Sequence, residues 1–385
     1  MSDFIYADHA ATAPLSPCAL KAMMPYLTEE YGNASSLYAP GRRARRALDH
    51  ARATVAAALG AQPGEIYFTS GGTESDNWVI RSAGRYGGGR KKIIASAVEH
   101  HAVLNSLEAM QERGYEGKLL GVDPHCRVLQ DELRRAVDEN TALVSIMAAN
   151  NEVGTVMPLK ELAQTAHEAG AAFHTDAVQA VGHIPLDVSH MGVDLMSFSA
   201  HKFGGPKGVG GLYVRAGLQI GPSLYGGGQE RGLRSGTENV AGAVGMAAAL
   251  EDSCGKMREN TARISALRDR LVRGVLNLPG THLTGDTENR LPGNASFFFD
   301  GVEGEELVYL LDQAGICASA GSACSAGALE PSHVLLAMGI SKEQARGSLR
   351  LTLGAENTEE EVDRIVAALS EILVKIRTFG SSQPQ

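Results

Sequence analysis

Between about residues 65 and 215, short apolar runs alternate with longer amphipathic stretches, and that rhythm restricts the chain to an α/β fold. Strands are predicted at EIYFTS (65–70), KIIASA (92–97), LVSIMAA (143–149), AAFHTDA (171–177), DLMSFS (194–199) and GGLYVR (210–215). Helices fill the gaps, as in TESDNWVIRSAG after Gly72 and LKELAQTAHEAG at 159–170, which Gly170 closes. The alternation predicts a mainly parallel sheet with helices on both faces. In such sheets ligands sit beyond the carboxyl ends of the strands. After a long helical stretch from about Asn239 to Leu276, the segments NASFFFDGV, GEELVYLLDQAG, SLRLTLG and TEEEVDRIVAALSEILVKI predict a smaller α+β region.

With 385 residues the chain exceeds one average domain, so two domains are expected. A net charge of -9 and the lack of any long basic stretch argue against a nucleic-acid partner. The longest uncharged stretches, such as VAGAVGMAAAL at 240–250, are too short to span a membrane, and the start MSDFIYAD has no basic leader, so a cytoplasmic protein is expected. Its five cysteines (Cys18, Cys126, Cys254, Cys317, Cys324) are scattered and odd in number, unlike a disulfide framework.

Three features fall at predicted strand ends. EIYFTS runs into Gly71, Gly72 and Thr73 and then a helix, a place where free N–H groups and a dipole end can hold an anion, although the glycines could equally make only a turn. AAFHTDA ends near Asp176, with Gln179 three residues on; an acid here is more often a helix N-cap. Lys202 follows DLMSFS, preceded by Ser199 and His201, whereas Lys207 lies farther from the strand end and is assigned no chemistry. Together a phosphate cradle, an acid and an amine on one sheet edge suit pyridoxal phosphate: the amine bonds its aldehyde, the acid keeps its pyridine nitrogen protonated, and the glycine turn holds its phosphate.

The stretches YGNASSL, FTSGGTESDN, VEHHAVL, ANNEVGT, HTDAVQAVG, SFSAHKFGGPKGVG, GGGQERGLRSGTEN and SAGSACSAGALEPSHVL together resemble the cysteine desulfurases of nitrogen fixation and iron–sulfur cluster assembly, in the class V aminotransferase group. The resemblance covers nearly the whole chain. It implies the fold of pyridoxal-phosphate transferases (fold type I), with a large cofactor domain at 15–259 and a small domain formed by 1–14 and 260–385. It further implies that Lys202 carries the cofactor, Asp176 meets the pyridine nitrogen, Gln179 the phenolic oxygen, and that His100 stacks on the ring beside Asn151. Phosphate contacts would come from Gly72, Thr73, Ser199 and His201, with Thr237 reaching over from the second subunit of a homodimer. Asn33, Asn151 and Arg350 would bind the substrate, Asn33 and Arg350 holding its carboxylate. Ala13, Ala34 and His101 depart from the family pattern, and they bear on how firmly Asn33 and His100 are presented.

Strand alternation would turn His100 and His101 to opposite faces, and His100 is chosen for its place after VE. CASAGSACSAGA (317–328) contains only Cys, Ala, Ser and Gly, with little area to pack, and is expected to be a mobile loop. A zinc site from Cys317, Cys324 and His333 matches no common ligand spacing, so no metal is expected. The implied reaction converts L-cysteine to alanine: Lys202 moves the α-proton, His100 relays protons, and Cys324 takes the sulfur as a persulfide for an acceptor or iron–sulfur scaffold protein. A transaminase, a selenocysteine lyase, or a cofactor-binding scaffold without turnover are the alternatives.

Overall fold

The computed structural model describes residues 4–321 and 331–380. Its strands in chain order are β1 (Ile5–Tyr6), β2 (Ile66–Thr69), β3 (Lys92–Ser96), β4 (Glu116–Leu120), β5 (Thr141–Ser145), β6 (Ala172–Asp176), β7 (Leu195–Ser199), β8 (Gly210–Val214), β9 (Thr281–Leu283), β10 (Asn294–Phe299), β11 (Ile316–Cys317) and β12 (Ser348–Thr352). Seven of them form one sheet in the order β2-β8-β7-β6-β5-β3-β4. Pairings from β4 through β7 are parallel, while β8 runs antiparallel to both β7 and β2. The α/β architecture with a mixed central sheet follows the alternation in the sequence. β3, β5, β6, β7 and β8 are buried along their whole length, as strands covered by helices on both faces must be.

Two strands differ from expectation. β4 was not anticipated, because it lies at the sheet edge, is mostly exposed and carries no apolar run. The run LVSIMAA begins two residues before Leu143, at Thr141, and leaves the regular strand after Ser145. Its remainder still bonds to β6, Ile146 N–H to His174 O (3.0 Å) and Ala148 N–H to Asp176 O (2.8 Å). That departure carries Met147 and Ala149 into the wall of a cavity beyond the strand ends.

Helix ends obey local chemistry. The helix Leu159–Glu168 stops where Gly170 takes φ +75° and Ala171 N–H returns to Ala166 O at 3.0 Å. Asn239 caps the helix Val240–Leu276, its Oδ1 accepting from Gly242 N–H at 2.9 Å. The first part of that helix, around Met246 and Leu250, packs in the core under the seven-stranded sheet. Its later part, around Leu267 and Leu271, joins a separate apolar cluster with Phe297, Leu349, Leu351 and Ile365. That cluster includes the three-stranded sheet β12-β10-β9 and the helices Gly304–Gln313 and Glu359–Gly380. The N-terminal segment is threaded into the same region, β1 pairing in parallel with β11.

Candidate active site

Beyond the carboxyl ends of β6 and β7 lies a cavity of about 230 Å³. Lys202 enters it from the short turn Ala200–Lys202 that follows β7, and Nζ donates to the carbonyls of Ala10 (2.7 Å) and Ala11 (2.8 Å). Asp176, the last residue of β6, is buried, with Oδ1 accepting from Val178 N–H at 2.9 Å. Gln179 Nε2 donates to the same Ala10 carbonyl at 2.9 Å. On the side of β2, the helix Gly72–Arg81 begins at the cavity, and Gly72 and Thr73 line it. A Cβ at position 72 would lie 2.5 Å from Val178 Cγ2, so the close approach of helix start to cavity requires glycine.

His100 also faces the cavity, but for a different reason from the one the sequence suggested. VEHHAV is no strand: His100 is the N-cap of the helix His101–Gln111, and its Nδ1 accepts from Ala102 N–H at 3.1 Å. With the Nδ1 lone pair occupied, the neutral ring carries its proton on Nε2. His101 turns away, its ring 4.8 Å from that of His333, whose Nε2 meets the Glu99 carbonyl at 3.0 Å. Burial lowers the pKa of His100, partly opposed by the charge of Asp176. His201, whose Nδ1 lies 3.1 Å from Thr12 Oγ1, is pushed down to about 4 by burial and the nearby charges of Lys202 and Lys207. Ser199 and Asn151 complete the wall.

Arg350 on β12 reaches the cavity from the other sheet. It is buried, Nη1 donating to Asn151 O and Nη2 to Asp8 Oδ1, each at 2.9 Å, while Nε has no hydrogen-bond partner among the described residues. The strand arginine is therefore no surface residue. Asn33 and Thr237, by contrast, are not brought to this cavity by their own chain. Asn33 is exposed and its Oδ1 accepts from Ser35 N–H at 2.9 Å, within its own turn. Thr237 is exposed and lines a different cavity with Ser70, Glu230 and Arg234. Cys324 lies outside the described residues, while Cys317 is half-buried on β11 with its thiol pKa raised by burial.

Sequence reasoning missed the polar layer beneath the cavity. Asp76 lines it, 1% exposed, its Oδ1 without a hydrogen-bond partner among the described residues and 3.7 Å from His174 Nε2. His174 bridges Ser145 Oγ (2.8 Å) and Ser197 Oγ (3.0 Å), and burial pushes it down to about 3, so it is neutral. Burial and the nearby Asp176 raise Asp76 well above the usual carboxylate range. A signal existed: Gly72, Ser75, Asp76 and Val79 recur at helical spacing, which places Asp76 on the inward face.

These residues suit pyridoxal phosphate. Burial raises the pKa of Asp176, against the pull of the Val178 N–H and of positive charge beside it such as that of Lys202. The protonated nitrogen of a pyridine ring supplies such a charge, while the open helix start accepts a phosphate. Residues 5–365 match the model of the aminotransferase class-V family. The chain belongs to this family, whose members are pyridoxal-phosphate enzymes. It is 48% identical over 384 residues to the cysteine desulfurase IscS of Methanosarcina thermophila, covering 99% of this chain and 95% of that one. Among solved structures, a NifS-like protein superposes with a TM-score of 0.91 at 40% identity, covering 96% of this chain and 99% of the other. A protein named SspA, solved in complex with cysteine, superposes at 0.82 with 31% identity, covering 92% of this chain and 99% of the other.

Proposed function

We propose that this class-V enzyme is a pyridoxal-phosphate-dependent cysteine desulfurase, taking L-cysteine to L-alanine and carrying the sulfur on Cys324 to an acceptor protein. The observation that carries the reading is the meeting of the Lys202 amine, the buried Asp176 and the glycine-started helix around one cavity, in a chain nearly half identical to named cysteine desulfurases. When bound, the cofactor supplies an aldehyde that bonds amines and a ring that takes up the electron pair left when an α-proton departs.

This chain's residues supply the rest. Lys202 Nζ would anchor the cofactor and, as a free amine, take the α-proton of the substrate. Asp176 would supply the countercharge for the ring nitrogen, and Gln179 a partner for the phenolic oxygen. Gly72, Thr73, Ser199 and His201 would hold the phosphate, joined by Thr237 of a second subunit. Asn151 and His100 flank the ring, and Arg350 with Asn33 takes the substrate carboxylate in a charge-assisted grip. The Cys324 thiolate attacks the substrate sulfur; the carbon–sulfur bond breaks, Cys324 keeps the sulfur as a persulfide, and protonation of the remaining carbon skeleton leaves alanine.

The cofactor domain comprises 15–259, and the smaller one 1–14 with 260–385. A homodimer is supported by Thr237 and Asn33, both exposed and remote from their own cavity, and by bulky exposed apolar residues near them, Leu37 and Tyr225. Among the described residues no helix is long and apolar enough to cross a membrane. The free thiols of Cys18, Cys126, Cys254 and Cys317 support a reducing, cytoplasmic setting. The test is to incubate the purified yellow protein with L-cysteine and reductant and to measure sulfide and alanine together. Equal yields, lost in Cys324→Ser, are expected; pyruvate or another keto acid would point to a lyase or transaminase, and no turnover to a scaffold.

A further inference from the structure

Arg350 does not reach the cavity as a free cation. Asp8, on the segment that follows β1, places Oδ1 2.9 Å from Arg350 Nη2 and Oδ2 2.8 Å from Ser319 Oγ. Both ends of this clamp are built into backbone. Ala7 O accepts from Thr352 N–H at 2.7 Å, and Arg350 and Ser319 exchange a pair of backbone hydrogen bonds at 2.7 and 3.1 Å. Asp8 does not line the cavity, whereas Arg350 and Ala10 do. Arg350 is buried at 3% exposure and its partner Asp8 half-buried at 16%.

A buried guanidinium without a countercharge is costly, and an arginine side chain otherwise has many rotamers. Asp8 removes both problems from one side. It neutralises the cation and fixes the plane of the fork, and Asn151 O holds Nη1. The Nε–H has no partner among the described residues. An incoming carboxylate thus meets a guanidinium whose direction is already set, so recognition depends on geometry more than on net charge.

We propose that Asp8 is a positioning residue for substrate recognition: acting through Arg350, it orients the guanidinium that receives the carboxylate of the amino-acid substrate. The inference rests on the carboxylate role of Arg350 put forward above. The test titrates the holoenzyme's visible absorbance with L-alanine and with ethylamine, which has the amine without the carboxylate, and measures KM and kcat for L-cysteine in parallel. Asp8→Asn should raise the L-alanine Kd and the L-cysteine KM at least about tenfold, with kcat at saturation within about threefold, the pattern of lost uniform binding. Ethylamine binding should be unchanged. In an Arg350→Lys background the same substitution should add nothing, because both changes act on one contact.

Should Asp8→Asn unfold the protein, Ser319→Ala, which removes only the second anchor of the Asp8 carboxylate, should weaken L-alanine binding in the same direction and leave ethylamine alone. Equal losses for L-alanine and ethylamine, or an L-alanine Kd at the wild-type value in both variants, would overturn the inference. If Arg350→Lys nonetheless raises the L-cysteine KM, the assignment of Arg350 survives that result. If Arg350→Lys leaves L-alanine binding untouched, the carboxylate role and this inference fall together.

Discussion

Glu152 follows Asn151 on the cavity wall and has its carboxylate inside the protein, where Ser332 Oγ donates to Oε2 at 2.5 Å. Burial pushes its pKa from 4.5 up to about 7, against the pull of Ser332 and the Arg350 charge. Between those values the folded chain keeps a proton that the unfolded chain has released, so its contribution to stability declines as pH rises through that window and levels off above it. Glu152→Gln cannot ionise and keeps an acceptor for Ser332. Its melting temperature relative to the wild type should therefore be higher at pH 8 than at pH 5; parallel melting curves at the two pH values would contradict this.

Lys202 and Asp176 have sharper expectations. Lys202→Ala should abolish turnover, while Asp176→Asn, which removes the countercharge for the ring nitrogen, should lower kcat by at least ~100-fold. Rapid-quench measurement of alanine checks both. The place of Lys202 at the cavity was legible in the sequence only through its combination with a strand-end acid and a glycine turn, since a lone lysine in a glycine-rich turn is usually solvated. Asp8 and Asp76 were not, since their meaning lies in partners hundreds of residues away or in the sheet below.

Two glycines tie the elements around the cavity. A Cβ on Gly210, in β8, would lie 2.7 Å from Gly71 Cα and 2.5 Å from Phe198 O, so Gly210→Ala must push β8 away from β7 and from the Gly71 turn that follows β2. A destabilisation of about 1–3 kcal/mol is expected by chemical denaturation, the range for overpacking a tight contact. Gly72→Ala meets Val178 Cγ2 at 2.5 Å and should mainly weaken cofactor retention, read as loss of visible absorbance on dialysis. A variant that kept its colour through dialysis would sink this expectation.

At the same scale, the mainly parallel sheet could be read from the chain because β3, β5, β6, β7 and β8 are wholly buried and so mostly apolar or small, Lys92, His174 and Asp176 being the exceptions. β4 escaped notice because exposure at an edge erases the pattern. VEHHAV was misread as a strand because an N-cap histidine gives no periodic signal, although His100 itself does line the cavity. Asn33 and Thr237 stand away from their own cavity; the resemblance implied a second-subunit origin for Thr237 but not for Asn33, whose place in the chain carries no such signal.

For the whole molecule, the proposed homodimer would make each active site a product of two chains, with Lys202 from one and Thr237 from its partner. Lys202→Ala and Thr237→Ala homodimers should each be impaired, the second through weaker cofactor binding. Heterodimers prepared by unfolding and remixing should regain about half of wild-type activity, since one site then carries both defects and the other neither. The most direct measurement of the central claim is borohydride reduction of the yellow holoprotein followed by peptide mapping. The account predicts a pyridoxyl label on the peptide containing Lys202 and on no other lysine; an unmodified Lys202, or a label on Lys207, would contradict it.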